Sequence, residues 1–390
     1  MSSAASVAPA PRRAPTQPRS PWRIAIARVR RDRVALVRRD RVALVALGFL
    51  VVLLLVVSAG APLAAHLLGH GPNDPFPYAA DINAKPVGPW TWVPDVHSAQ
   101  QPGENGLPAP PPGTAKTLLI LGGDGLLGRD EFLRLLYGGR VTLEVALGAT
   151  LLALALGIAF GAAAGYFGGW LDAVISRLVD LVMTFPLLLF LLMLGTAASP
   201  KLRDITLGGL LNQGVLMLIL LIAAFTWFYP ARIVRSEVLS LRRREFVEAA
   251  VSVGATDARI IRKHLIPALA PTLIAYGAVL MATNVMLEAG VSFLGVGIDL
   301  PTASWGTLLT AAWGSLLSPF RYDPLTFTPW TTLVPSLAIF LTVLAFNLLA
   351  DAVRDAIDPQ GARWWRSCSS WPAGSRSRPS SSSRSRSSPS

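Results

Sequence analysis

Cysteine is almost absent: the 390-residue chain carries one, Cys368. That excludes an internal disulfide framework and any cluster of thiolate ligands, and it says nothing about redox compartment. Lysine is scarce as well, occurring only at Lys85, Lys116, Lys201 and Lys263. None of these follows a glycine, so the loop that cradles a nucleotide phosphate, with Gly before Lys and then Ser or Thr, is missing. Gly122-Gly123-Asp124-Gly125 is glycine-rich but has no lysine. No Ser/His/Asp or Cys/His grouping suggests nucleophilic catalysis. No catalytic residue is therefore assigned, no enzyme activity is read from this chain and no cofactor is expected.

Charge is thin too, with Asp, Glu, Lys and Arg together only 15% of residues. Hydrophobic residues make up 52% and the mean hydropathy is +0.49. Soluble domains reach about 45–50% apolar, so the bulk figure decides little. The distribution does decide. Apolar residues come in runs of about 20, long enough to cross a bilayer core as helices, and charges fall between the runs. The expected fold class is an all-α integral membrane protein with six transmembrane helices. The spans are expected near Val42–Ala65, Val141–Gly165, Val179–Thr196, Val215–Tyr229, Pro271–Leu294 and Thr331–Ala350.

The net charge of +12 is carried mainly by arginine. Arginines crowd Arg12 to Arg41, the stretch Arg232–Lys263, and the tail beyond Arg363. This is the pattern of cytoplasmic flanks under the positive-inside rule, and it places both termini in the cytoplasm. No basic segment carries a recognition fold for nucleic acid, so the expected surface partner is membrane lipid.

The organisation follows from these runs. Residues 1–41 form a basic N-terminal segment, partly disordered. Within it begins a tandem octapeptide, Arg30 to Val37 repeated at Arg38 to Val45. It reads either as a basic helix on the inner leaflet or as a slipped duplication of the first span's shoulder. Residues 42–65 are the first span. Its basic leader and apolar run are both longer than those of a cleaved signal peptide, so it is read as an anchor. Residues 66–140 are an extracytoplasmic, Pro- and Gly-rich segment whose last part, Asp130 to Tyr137, is expected to lie along the interface. Residues 141–361 form the core domain with five spans, and residues 362–390 a Ser/Arg-rich low-complexity tail. That tail reads either as an RS-type RNA-binding tail or as a non-native or frame-altered extension following a finished membrane domain.

One cytoplasmic loop, 235–267, is too polar to span and too rich in helix formers to be loose. It reads as two short helices, Leu239–Val253 and Asp257–Leu265, hinged at Gly254. Glycine can take the left-handed conformation that ends a helix. Thr256 or Asp257 can cap the second helix, and Pro267 lets the next span start at a new angle. Small Ala249 and Ala250 allow close approach, and Glu248 supplies charge. Such a hinged, charged elbow suits docking of a soluble partner.

Glu248-Ala249-Ala250, then Gly254, then Ile266-Pro267 resembles the EAA motif of binding-protein-dependent ATP-binding-cassette importers. Two positions depart from it: His264 stands in place of the usual Ile, and Ile266 in place of Leu. Further stretches are similar to permeases of the dipeptide/oligopeptide/nickel type. These are Gly123-Asp124, Gly128-Arg129-Asp130, Arg134, Tyr137-Gly138 and Arg140; Tyr166 to Gly169; Arg177 to Asp180 with Phe185-Pro186; Ser292 to Gly295; and Asn347 to Asp351 with Arg354-Asp355 and Asp358-Pro359. The resemblance covers roughly residues 40–360 and leaves out the 71–115 insertion and the tail. It implies a bacterial inner-membrane permease that pairs with a second homologous permease subunit. Two cytoplasmic ATP-binding subunits would dock on the elbows, and an extracytoplasmic solute-binding protein would deliver the substrate. Glu248, Ala249, Ala250, Gly254, Ile266 and Pro267 would couple, not catalyse. The implied substrate is a short peptide, or else nickel or another small solute. A proton-coupled secondary transporter is the alternative from another class, but it would show internal repeats and paired broken helices.

Three other features remain. His66 and His70 stand at i, i+4 with Asp74 nearby, but Gly69, Gly71 and Pro72 interrupt the helix, so no metal site is assigned. Asp180 is expected to pair with Arg177. Glu288, an acid inside a span, either lines the pore or makes an interhelical hydrogen bond. Removing residues 363–390 is expected to leave membrane assembly intact, as judged by monodisperse elution from a sizing column; loss of assembly would give the tail a role.

Overall fold

The computed structural model describes residues 41–80, 86–97, 108–124, 127–197, 205, 212, 214–298, 300–316 and 329–357. The octapeptide's first copy, the basic leader and the Ser/Arg tail lie outside them. Among the described residues, four unbroken helices are long and apolar enough to cross a membrane. These are α1 (Arg41–Leu68), α2 (Glu131–Phe167), α8 (Asp257–Phe293) and α10 (Pro329–Ile357). Two bent pairs bring the number to six if each is one span.

The first pair corrects the expected straight span 179–196. Helices α3 (Gly169–Met183) and α4 (Leu187–Ala197) meet at 87°. Pro186 at the corner has no N–H and disfavours helical backbone in the residue before it. Thr184 Oγ1 closes the broken end by donating to the Leu181 carbonyl at 2.6 Å. The second pair, α5 (Val215–Thr226) and α6 (Phe228–Leu241), bends by 44°. Pro230 in the first turn of α6 removes one ladder donor, and Thr226 Oγ1 bonds back to Ile222 O at 2.8 Å, which bends helices. This span was expected to stop at Tyr229; it runs on to Leu241.

Two further boundaries move. The expected interfacial helix from Asp130 is simply the start of α2. Asp130 caps it, accepting from the Phe132 N–H at 2.8 Å and the Leu133 N–H at 3.2 Å. A helix not expected at all, α9 (Trp305–Leu316), follows α8. Trp305 is fully buried and donates through Nε1 to Leu135 O at 3.0 Å, while its N–H bonds Thr142 Oγ1.

Helix α2 is the central strut. Gly157, Gly161 and Gly165 fall on one face at four-residue spacing, and α6 lies directly on that face. A β-carbon on Gly161 would sit 2.5 Å from the Ala231 carbonyl oxygen, and one on Gly157 2.7 Å from the Pro230 ring. Two backbones in van der Waals contact gain dispersion and packing that lipid tails cannot match. Around this seam lie apolar clusters, one of Val145, Ala149, Leu191, Leu218 and Ile222, another of Ala153, Val179, Phe228 and Leu280.

Between α1 and α2 the chain builds two small antiparallel ribbons. β1 (Thr91–Pro94) pairs with β2 (Lys116–Leu119), with Trp92 opposite Leu118. β3 (Gly123–Asp124) pairs with β4 (Arg129–Asp130). Phe76, Ala79, Val93 and Leu119 close a separate apolar core under them.

Gly161→Leu must separate α2 from α6. The expected loss is about 1–3 kcal/mol from overpacking, read as a lower melting temperature in detergent, while Gly168→Ala, with no atom near its added carbon, should not open that seam.

Candidate functional site

The elbow grows directly out of α6. After Leu241, Arg242 to Arg244 turn the chain, and Arg244 is extended (φ −86°, ψ 145°). This splits the single helix expected over Leu239–Val253, and α7 begins only at Glu245 (Glu245–Ser252). Its two faces differ. Val247 is buried with Ala162, Tyr166, Val234, Val238, Ile260, Leu265 and Leu269, and Ala250 packs on the same cluster. Glu248 and Ala249 are exposed. Phe246 and Val253 are 42% and 88% exposed; with Ala249 they form an i, i+3, i+7 stripe left open among the described residues.

Gly254 ends α7 in the left-handed region at φ 78°. Ala255 N–H reaches back to Ala250 O at 3.0 Å and Gly254 N–H to Val251 O at 2.9 Å. This pair of bonds satisfies the terminal carbonyls of α7 and fixes the turn. A β-branched side chain there would carry the left-handed penalty.

Thr256 precedes the next helix but makes no side-chain cap bond. Asp257 is engaged elsewhere: its Oδ1 accepts the Tyr166 hydroxyl at 2.7 Å. Arg242 stacks over the Tyr166 ring, 5.6 Å from its centroid. Tyr166 thus ties the end of α2 to the elbow, a role not visible in the sequence. The chain does not break at Pro267. Helix α8 runs unbroken from Asp257 to Phe293, with a π-turn at Ile261–Leu265 where Ile266 N–H bonds Ile261 O. The wider turn absorbs the donor that Pro267 lacks. Ile266 is half-buried and Pro267 buried, so both seat α8 against the bundle.

Beside the elbow, α3 and α6 are clamped by charge. Asp172 holds Arg235 through two hydrogen bonds, the Nη2–Oδ2 one at 2.7 Å. The cation brought to Asp180 is Arg232, at 3.7 Å, and not the expected Arg177. Both groups are more than half exposed, so that contact is weak.

Glu288 lies at the other end of α8 and is fully buried. Its Oε1 accepts from Ser292 Oγ at 2.8 Å, and the Thr142 and Ser304 hydroxyls also bear on the carboxyl. Glu288 is packed where α8 meets α2 and the approach to α9, and its Ser292 hydrogen bond stays within α8. Four residues earlier, Asn284 donates to Thr150 Oγ1 at 2.9 Å.

At that same end sits a buried charge network built from the Gly-Asp and Gly-Arg-Asp stretches. Asp124 takes a two-pronged contact from Arg129 (3.1 and 3.0 Å) and a third from Arg134 at 2.6 Å. Arg134 Nη1 also donates to Asn73 Oδ1 and Pro301 O. The histidine pair separates: α1 ends at Leu68 and Gly69 is left-handed at φ 78°. His66 stays exposed, while His70 turns inward with Nε2 2.9 Å from Asp130 Oδ2 and Nδ1 3.1 Å from Leu68 O. Among the described residues no group of three or more His, Cys, Asp or Glu is placed to hold a metal. Burial opposes protonation of His70, yet the hydrogen bond and charge of Asp130 outweigh it and raise the imidazole pKa above its ordinary value.

Apolar crossings, a close-packed glycine seam and a helical elbow define an all-α integral membrane protein of the importer-permease class. The chain belongs to the family described as binding-protein-dependent transport system inner membrane component, whose pattern matches residues 157–361. It is similar to the oligopeptide transport system permease protein OppC of Salmonella typhimurium, 36% identical over 233 residues, 60% of this chain and 70% of that one. It is also similar to the glutathione transport system permease protein GsiD of Shigella flexneri, 38% identical over 234 residues, with 60% and 70% covered. Among solved structures, an inward-facing MetNI methionine ABC transporter aligns with a TM-score of 0.41 and 20% identity, covering 57% of this chain and 97% of that one.

The raised His70 pKa sets a sign. Its contribution is fully present below the unfolded value of about 6.5 and is lost as pH rises through the folded value. His70→Gln should therefore lower the melting temperature most near pH 6 and least near pH 9; an equal loss at every pH would contradict the charged pairing.

Proposed function

We propose that this chain is the pore-forming permease subunit of an ATP-driven peptide importer, with α7 and the Gly254 turn as the surface on which an ATPase partner acts. The observation that carries the reading is the split face of α7. One side is locked into the bundle through Val247 and Ala250; the other presents Phe246, Ala249 and Val253 beside Glu248. An unscreened apolar stripe flanked by charge is a protein-docking surface when it lies outside the bilayer. Arg242, Arg243 and Arg244 precede it in the chain and Arg259, Arg262 and Lys263 follow it, a charge density that favours the cytoplasmic side; six spans with the elbow inside would leave both termini on that side.

In this mechanism two ATP-hydrolysing subunits close on nucleotide and shift the elbows of this chain and of a second, homologous permease. The fixed turn at Gly254 keeps the shift from dissipating as local rearrangement. It passes to α2 through Tyr166–Asp257 and to α8 through covalent continuity. Glu248, Ala249 and Gly254 act at the contact, and Ile266 and Pro267 seat the first turns of α8. The pore then alternates between inward- and outward-facing forms, as population shift between two packed arrangements requires. An extracytoplasmic solute-binding protein supplies the substrate and selects it. The names of the relatives, an oligopeptide permease and a glutathione permease, support a short peptide as that substrate.

Gly254→Val tests the coupling. A left-handed β-branched residue costs about 1–2 kcal/mol, small against a whole fold but enough to undo the turn. Membrane level should be unchanged and ATP-dependent uptake in reconstituted vesicles lost; normal uptake would remove the elbow from the mechanism.

A further inference from the structure

The ribbon of β1 and β2 belongs to a stretch the family pattern does not reach, and the transport mechanism above makes no use of it. Its buried side carries Val93, Thr117 and Leu119. Its open side carries Trp92, 61% exposed, opposite Leu118, with exposed Lys116 two register pairs along, on the same face. Just before β1, Trp90 is 71% exposed and sits at φ 58°. A bulky side chain in the left-handed region is a strained choice where glycine would be free of penalty.

The ribbon's height is fixed by three helix ends. Thr117 Oγ1 lies 3.4 Å from His70 Nδ1, two residues beyond the end of α1. The Glu131 N–H, at the first residue of α2, bonds Gly122 O at 3.1 Å. A β-carbon on Gly88 would stand 3.9 Å from Trp330, the second residue of α10. The ends of α1 and α10 fall within a few residues of the ends of their apolar runs, whereas α2, 37 residues long, is too long for a core of roughly 30 Å and continues past that level to Glu131; the ribbon therefore stands just outside the hydrocarbon, at headgroup depth. The ends of α1 and α10 that stand beside this segment belong to the two least covered of the unbroken crossings, with 17% and 22% of their apolar windows buried against 44% for α2. Indoles have an apolar body and one N–H donor and concentrate at this depth, and a neighbouring lysine meets lipid phosphate.

We propose that Trp90 and Trp92, with Lys116, form an anchor that seats this ribbon in the lipid headgroup layer beside α1 and α10. The occupant is the bilayer interface itself, because the surface is narrow, lies level with the ends of α1 and α10 and joins indoles to a single cation.

Label depth tests this in the full chain. In a Cys368→Ser background, Trp90→Cys or Trp92→Cys carries an environment-sensitive fluorophore, and Pro111→Cys, on an exposed loop of the same segment, serves as the water reference. The proteins are reconstituted in vesicles of phosphatidylethanolamine and phosphatidylglycerol. Lipids with a nitroxide near the headgroup should quench the Trp90 and Trp92 labels roughly threefold more than the Pro111 label, and aqueous iodide should quench them less. Two positions are used so that one poorly folded variant does not decide the result. Iodide quenching equal to that at Pro111 with no quenching by lipid would overturn the anchor. Protection that appears only on adding the extracytoplasmic binding protein would overturn it too, assigning the face to a protein partner.

Discussion

Everything in this subunit hangs on the closeness of α2 and α6. In a bilayer there is no hydrophobic drive to bring two apolar helices together, because lipid tails are equally apolar. What remains is contact at backbone distance, which only small side chains allow. Gly157, Gly161 and Gly165 supply it, leaving room for Pro230, Ala231, Val234 and Val238 to press onto the strut. Widen that seam and α6 loses its place, and with it the arginine turn, α7 and the left-handed stop at Gly254. The elbow is therefore an extension of a membrane seam, not an appended loop. The Asp172–Arg235 pair braces the same helix from its other flank.

The two ends of the bundle use polar chemistry differently. At the elbow, polar contacts are few and directed: one phenol on one carboxylate, one guanidinium over one ring. At the ribbon end they form a dense buried net around Asp124, Asp130 and Arg134. Buried charges of this kind stabilise only when each finds a partner, and removing one strands the others. That end is a rigid cap through which α1, α2 and the segment before α9 are held in register. Asp130 is central to it, since the same carboxylate caps α2 and receives His70.

Much of this was legible in the sequence, and the limits have physical causes. Long apolar runs place α1, α2, α8 and α10, because crossing length is a strong constraint. Gly254 announces the end of α7, because few residues tolerate its backbone. The corner at Pro186 and the bend at Pro230 lie inside apolar runs, where hydropathy masks a break that proline alone signals. Helix α9 was missed because Trp305–Leu316 is short and mixes Gly and Thr with apolar residues. The pairs that fix the site lie far apart in the chain, 91 residues for Tyr166 and Asp257 and 60 for His70 and Asp130. No periodicity reports such contacts; only the packing of α2 brings them together. The glycines at four-residue spacing were the one available clue to that packing.

The unbroken course of α8 has a mechanical meaning. At 1.5 Å of rise per residue, its 37 residues reach roughly 55 Å from Asp257 to Phe293, so each degree of tilt at one end displaces the other by roughly 1 Å. Asp257 is tethered to α2 at the elbow, and Glu288 and Ser292 are wedged among hydroxyls near the far end. The helix is thus a beam pinned near both supports, and the distance that amplifies a small push is also what makes the polar contacts around Glu288 the first to feel it.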